Sequence, residues 1–208
     1  MTSSTPKPTV GTVLFPGFEL LDVFGPLDFF LILPDLFDFV MLAEKTGSVR
    51  SGQGPTALAE RALSDCESVD ILLVPGGKGT RTEVENPTLL CEIDRLSQTA
   101  QYVTTVCTGS ALLAKTGQLD HKRATTNKAA WQWVTSQRSE VDWVAKARWV
   151  EDGKFFTSSG VSAGMDMALG LVQEIYGEKT AKEVALRAEY KWNNDSNDDP
   201  FAEIHGLV

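Results

Sequence analysis

The sequence predicts an α/β fold with a mainly parallel central sheet, in one domain spanning residues 1–208. Three observations predict it. Short β-branched, apolar runs alternate with longer helical runs, and no internal repeat intervenes. The short runs are closed by glycine, proline and small polar residues. Residues 102–114, YVTTVCTGSALLA, pass from a strand pattern through a tight turn into a helix pattern, as each βα step of a parallel sheet must.

The chain begins with MTSSTPKPT, a short polar stretch with two prolines, expected to be a loose arm over 1–9. Residues 10–15, VGTVLF, fit the first strand, and Pro16-Gly17 end it. In FELLDVFGPLDFFLIL, Pro26 suits the first turn of a helix ending near Leu33. Asp22 is an acid inside this apolar run. It fits a helix cap, and it equally fits a proton carrier whose carboxyl pKa is raised by burial. Glu19, three residues earlier, is the rival acid and is expected in solvent. DFVMLA (38–43) fits a second strand, followed by a glycine-rich loop or small hairpin.

Asp70 to Val74, DILLV, fits a buried strand, closed by Pro75-Gly76-Gly77-Lys78-Gly79. The spacing does not match a GxxxxGK[ST] phosphate loop. The glycines suit either a plain turn or a close backbone approach to a substrate. Asn86-Pro87 opens a helix to Ala100, and Cys91 within it is expected to be inert packing. Cys107 then follows strand 102–106 at the start of a helix. The helix N–H groups there favour an anion, so an acidic, reactive thiol is expected; a buried structural cysteine is the alternative.

Ala124 to Thr126 fit a short strand, and Asn127 is expected to cap the helix KAAWQWVTSQ. His121 falls in a polar turn and is expected in solvent. Residues 143–150, WVAKARWV, suit an edge strand, with Glu151 to Lys154 as a hairpin turn and FFTSS returning. Gly160, Val161, Ser162, Ala163 and Gly164 form a second tight crossover before the helix MDMALGLVQEIYG, with Asp166 near its positive end. A last helix runs from Lys179 to about Tyr190. Residues 191–208 are expected to be a polar tail.

Composition narrows the functional classes. Lys plus Arg total 19 against 28 Asp plus Glu, a net charge of −9, so no nucleic-acid partner is expected. No run is long and apolar enough to span a bilayer, so no membrane partner is expected. Three cysteines, Cys66, Cys91 and Cys107, make no disulfide framework and suit a reducing, cytoplasmic setting. Two histidines and no CxxC or HExxH pattern give no basis for a metal.

Four stretches together resemble the ThiJ/PfpI superfamily, over roughly residues 10–190. These are FELLDVFGPLDF, LLVPGGKG, YVTTVCTGSALLAKTGQLDHKRATT and FFTSSGVSAGMDMALGLVQEIYG. Within that superfamily they are most similar to the isonitrile (cyclohexyl-isocyanide) hydratases. The resemblance implies a flavodoxin-like sandwich with a cysteine nucleophile elbow, no cofactor, a small-molecule substrate and a homodimer. It implies Cys107 as the nucleophile and Asp22 as general acid and base. Thr108 and Gly77 would face the nucleophile, and Asn127 and Val161 would belong to the substrate pocket. Many relatives carry histidine where this chain has Asn127, so a Cys–His dyad at that position is ruled out. The implied reaction is hydration of an isonitrile to an N-substituted formamide through a thioimidate on Cys107. The alternatives are a glyoxalase-like conversion of 2-oxoaldehydes to 2-hydroxy acids, and a redox-sensing or protective protein in which Cys107 is oxidised.

Overall fold

The computed structural model describes residues 6–208. In chain order the elements are β1 (Thr9–Val13), α1 (Leu20–Leu31), β2 (Asp38–Ala43), β3 (Gly47–Arg50), β4 (Thr56–Ala59), β5 (Arg61–Ala62) and β6 (Ile71–Val74). Next come α2 (Thr80–Glu83), α3 (Pro87–Thr99), β7 (Tyr102–Val106), α4 (Gly109–Lys115), β8 (Arg123–Ala124), α5 (Trp131–Thr135) and β9 (Asp142–Trp143). The chain ends with β10 (Trp149–Asp152), β11 (Phe155–Ser158), α6 (Ala163–Tyr176), α7 (Glu178–Arg187) and α8 (Pro200–Ile204).

Seven strands form one sheet in the order β10-β11-β7-β6-β1-β2-β5. Neighbours pair in parallel except at the β10–β11 edge hairpin. The fold is therefore α/β with a mainly parallel sheet, as the alternating pattern predicts. The central strand β6 shows why its sequence is uninterrupted ILLV. All four side chains are fully buried, because helices cover both faces of a parallel sheet. On one side α1 packs against α6, with Gly25 and Gly164 allowing the approach. A Cβ on Gly25 would fall 2.9 Å from Met165, and one on Gly164 would fall 2.8 Å from Val106. α7 packs on α6 as well, and α3 packs on α4. Asn86 caps α3 as expected, accepting from the amides of Thr88 and Leu89, with Pro87 at the first helical position.

Parallel order brings the carboxyl ends of β1, β6, β7 and β11 side by side. The segments that follow these four strands carry Asp22, in the first turn of α1, the Gly76-Gly77 pair, Cys107 and Ser159 to Ser162.

Several local expectations give way. Pro26 lies in the interior of α1 rather than its first turn, because the helix starts six residues earlier, at Leu20. Lacking an N–H, Pro26 leaves the Asp22 carbonyl without its helical donor. Residues 143–150 are not one strand. Trp143 pairs in parallel with Ala124 in a separate two-stranded sheet, and the edge strand begins at Trp149. Asn127 does not open a helix at residue 128. Its Oδ1 accepts from the Ala130 amide at 3.0 Å and closes a turn, and α5 starts at Trp131. Cys91 is exposed rather than packed, and Cys66 is buried.

The two ends also differ from a loose arm and a plain polar tail. Residues 1–5 lie outside the described residues. Lys7 already donates to the Pro34 carbonyl at 2.7 Å, and Thr9 is in β1. The 191–208 stretch folds back on the body. Asp166 accepts from Tyr190 Oη and from the Asn193 amide, and the Ser196 carbonyl accepts from the Arg148 amide at 2.7 Å. Asp199 then caps α8 through the Phe201 amide, with Pro200 at the first helical position. No helix among the described residues is long and apolar enough to cross a membrane.

Candidate active site

Cys107 follows β7 directly and takes φ of 57°, a left-handed backbone for a residue with a side chain. Such a conformation costs of order 1–3 kcal/mol and persists only when its surroundings hold it. Here they do. Its amide donates to the carbonyls of Ser158 and Ser159, both at 3.2 Å. Its carbonyl accepts from Thr126 Oγ1 at 2.9 Å and from Ser110 Oγ at 3.1 Å. Gly109 permits the sharp entry into α4, since a Cβ there would fall 2.2 Å from the Val74 carbonyl oxygen. The thiol is 7% exposed.

Asp22 stands opposite, in the first turn of α1, fully buried. Its Oδ2 accepts from the Gly76 amide at 2.9 Å, and its Oδ1 has no hydrogen-bond partner among the described protein groups. Burial raises the Asp22 carboxyl well above the usual range; the Gly76 amide only partly opposes it, and Glu19 adds to it. Glu19 itself lies at the surface, with its carboxylate on Gln53, so Asp22 is the buried acid of the two.

The thiol is not the acidic group expected at a helix start. Burial pushes the Cys107 thiol up, and the neighbouring Asp22 carboxylate pushes it further. The Thr108 amide and hydroxyl favour the thiolate but do not outweigh these two effects. α4 also offers only a short dipole, seven residues long. An Asp22 carboxylate disfavours charge on Cys107, whereas the Cys107 thiol donates toward Asp22 and favours the carboxylate, so the two groups are coupled through a proton.

Gly77 differs in detail from its expected role. Its amide is engaged by Thr108 Oγ1 at 3.0 Å, and Thr80 Oγ1 lies 3.0 Å from the same hydroxyl. Gly77 therefore orients Thr108, the residue after the cysteine. The glycine that touches the acid is Gly76.

Asn127 and Val161 meet on a separate feature, a cavity of about 320 Å³ whose walls also include Leu21, Ser159, Phe201 and His205. The cavity sits against the elbow. Leu21 precedes Asp22, the Ser159 carbonyl binds the Cys107 amide, and Thr126, before Asn127, binds the Cys107 carbonyl. Gly160 and Asn127 are in close contact, a Cβ on Gly160 falling 2.0 Å from Asn127 Nδ2. A larger apolar groove, about 670 Å³, runs over α1, β2 and β4 and is lined by Leu21, Phe24, Phe39, Leu58 and Met165, away from Cys107.

The DJ-1/PfpI family model matches residues 9–174. The chain belongs to the DJ-1/PfpI family. Among curated proteins it is 37% identical over 181 residues to an isonitrile hydratase of Pseudomonas putida, covering 87% of this chain and 78% of that one. It is also 25% identical over 177 residues to an HTH-type transcriptional regulator of Pseudomonas aeruginosa, covering 83% of this chain and only 52% of that one. Among solved structures, a ThiJ/PfpI family protein from Pseudomonas syringae superposes with a TM-score of 0.83 at 24% identity, covering 98% of this chain and 85% of that one. Drosophila melanogaster DJ-1beta superposes with a TM-score of 0.76 at 20% identity, over 90% of this chain and all of that one. The flavodoxin-like sandwich is thus shared with DJ-1/PfpI proteins.

Beyond the expected residues, this DJ-1/PfpI site includes Gly76, Thr80, Thr126, Ser159, Phe201 and His205. For Phe201 a sequence signal existed: Asp199-Pro200 is a cap followed by proline, and it announces α8.

Proposed function

We propose that this protein hydrates a small isonitrile to an N-substituted formamide, with Cys107 as nucleophile and Asp22 as general acid and base. The observation that carries the reading is the burial of Asp22 beside Cys107 at the elbow, where desolvation raises both groups and favours a proton shared between them. The 37% identity to an isonitrile hydratase supports the same reaction.

The steps follow from that shared proton. The terminal carbon of an isonitrile becomes electrophilic as it takes up a proton. The pair's proton passes from Asp22 to that carbon while Cys107 Sγ bonds to it, giving a thioimidate and leaving Asp22 ionised. The Asp22 carboxylate then draws a proton from a water molecule as its oxygen attacks the same carbon, and relays that proton to the imine nitrogen. Collapse forms the formamide C=O and breaks the C–S bond. The hydroxyl proton returns to the Asp22–Cys107 pair. The Thr108 amide and hydroxyl, which favour charge on the neighbouring sulfur, stabilise the departing thiolate. The balance is isonitrile plus water to formamide.

Asn127 disfavours the glyoxalase-like alternative, since an amide is no base. A panel of alkyl isonitriles and 2-oxoaldehydes, given to wild type, Cys107→Ala and Asp22→Asn, tests the assignment. Formamide production is expected from wild type alone, with Asp22→Asn reduced about 10²–10⁴-fold. Turnover of 2-oxoaldehydes instead would sink it.

The same reading includes a homodimer. Phe24, Phe39 and Leu58 stand 46%, 47% and 61% exposed along the apolar groove, and Leu21 borders both that groove and the cavity beside Cys107. Phe24→Glu is expected to convert a sedimenting dimer to the 22.7 kDa chain. A wild type that sediments as a monomer at micromolar concentration would contradict pairing.

A further inference from the structure

The C-terminal segment is held against the body by a contact that few surface tails possess. Lys128 Nζ lies 3.1 Å from Asp199 Oδ2, and each side chain is only 1% exposed. The same ammonium donates to Thr125 Oγ1 at 2.6 Å, to the Ala147 carbonyl at 3.0 Å and to the Thr126 carbonyl at 3.2 Å. The cation is therefore anchored on the strand-end segment whose Thr126 hydroxyl binds the Cys107 carbonyl. Asp199 is in turn the cap of α8. One buried pair thus fixes the start of α8 to the framework of the elbow. From that start, Phe201 and His205 reach the cavity lined by Leu21, which precedes Asp22, and by Ser159, whose carbonyl accepts from the Cys107 amide.

That cavity has a definite character. Leu21, Val161 and Phe201 give it an apolar lining, Asn127, Ser159, Ser162 and His205 add polar groups, and the one lining cation, Lys128, has its ammonium paired with Asp199. Its volume of about 320 Å³ is at the small end of ligand pockets, which run from about 300 Å³ upward. Taking a water's share as about 30 Å³, it accepts a compact group of roughly ten heavy atoms. The catalytic pair handles only the reacting carbon, so the remainder of the substrate needs a place nearby.

We propose that α8 is the specificity wall of this site: Phe201 contacts the apolar substituent of the bound electrophile and limits its bulk, and the Lys128–Asp199 pair positions Phe201 there. Phe201 is the specificity residue and Asp199 a positioning residue. The substrate class is narrowed to electrophiles bearing one compact, uncharged hydrocarbon substituent of about a single ring. This rests on Cys107 being the reactive group, as proposed above, but not on the isonitrile reaction itself.

The test reads Cys107 directly. Intact-mass and peptide mapping follow its alkylation by N-methylmaleimide and by the far bulkier N-(1-pyrenyl)maleimide, in the full chain at mildly alkaline pH. The quantity is the pyrenyl-to-methyl rate ratio within one preparation, so any unfolded fraction registers separately as uniform labelling of buried Cys66. Discrimination by one methylene in a pocket is worth about 10–200-fold, so Phe201→Ala is expected to raise the ratio at least about tenfold, and Phe201→Trp to lower it. Phe201 is 45% exposed, so its replacement leaves the core intact. Asp199→Asn is expected to raise the ratio in the same direction. An unchanged ratio in Phe201→Ala overturns the wall. A changed ratio there with none in Asp199→Asn overturns the positioning role of the pair. A changed ratio in a protein that turns over no isonitrile keeps the wall and overturns the hydratase reading, so the two failures are distinct.

Discussion

Gly76 donates its amide hydrogen to Asp22 at 2.9 Å, and a Cβ on Gly76 would fall 2.9 Å from that same carboxylate oxygen. It would also fall 2.6 Å from the Thr108 amide nitrogen. Residue 76 thus touches both the acid and the group that supports the sulfur, and only a hydrogen atom fits between them. Gly76→Ala is expected to lower kcat at least about tenfold by displacing Asp22 from the reacting carbon, since small misplacements cost up to about 10²-fold. Formamide production, with circular dichroism to verify the fold, checks this; wild-type kcat would refute it.

Asp22 weakens the fold at neutral pH. Its folded pKa is raised, chiefly by burial, so the folded state holds the proton more tightly than the unfolded chain does. The stability it contributes is fully present below the unfolded value of about 3.9 and is lost as pH rises through the folded value. Asp22→Asn has no proton to lose, and its amide oxygen can still accept from Gly76. Its melting temperature is expected to match or fall below wild type near pH 4 and to exceed it by about 2–4 °C per kcal/mol recovered near pH 8. Parallel melting curves across that range would refute the assignment of Asp22 as a buried, proton-holding acid.

The order of cysteine reactivity should invert what the helix start alone suggests. Cys91 is exposed, whereas Cys107 is buried and its thiol is raised by burial and by Asp22. Since the thiolate reacts, iodoacetamide at neutral pH is expected to label Cys91 at least about tenfold faster than Cys107. Asp22→Asn removes the neighbouring negative charge, so it should speed labelling of Cys107 while leaving Cys91 unchanged. Equal rates at Cys107 in the two proteins would show that the carboxyl does not act on the sulfur.

What was legible in the chain divides along physical lines. Ile71–Val74 was legible because burial on both faces demands an unbroken apolar run, and Tyr102–Val106 because its run of β-branched residues fits a buried strand. Cys107 and Asp22 were legible because chain position alone places them at neighbouring strand ends. The state of the Cys107 thiol was not. A helix start lowers a thiol pKa, but burial and a facing carboxyl raise it, and both come from residues distant in sequence. Pro26 was placed too early because the interior of α1 tolerates it through packing on α6. Lys128 and Asp199 look like ordinary charged surface residues in sequence. Their burial depends on a contact 71 positions long, from 128 to 199, that no local pattern announces.

That pair also carries a stability prediction that separates its electrostatics from its packing. Removing one partner of a buried ion pair leaves an uncompensated charge and costs about 3–5 kcal/mol, whereas replacing both by apolar groups is often near neutral. Lys128→Met strands the Asp199 carboxylate, although it spares the α8 cap at the Phe201 amide. Lys128→Met with Asp199→Leu removes both charges but also leaves the Thr126 and Ala147 carbonyls without the ammonium and α8 without its cap. The loss of a cap costs about 1 kcal/mol. The double variant is therefore expected to be less stable than wild type by about 1–3 kcal/mol, the range for an unsatisfied buried group, and still more stable than Lys128→Met alone. Urea unfolding of the three proteins, compared at equal m-values, decides it. A double variant weaker than Lys128→Met would mean that the hydrogen bonds to the carbonyls and to the α8 amide, rather than the pairing of charges, hold the C-terminal segment beside the elbow.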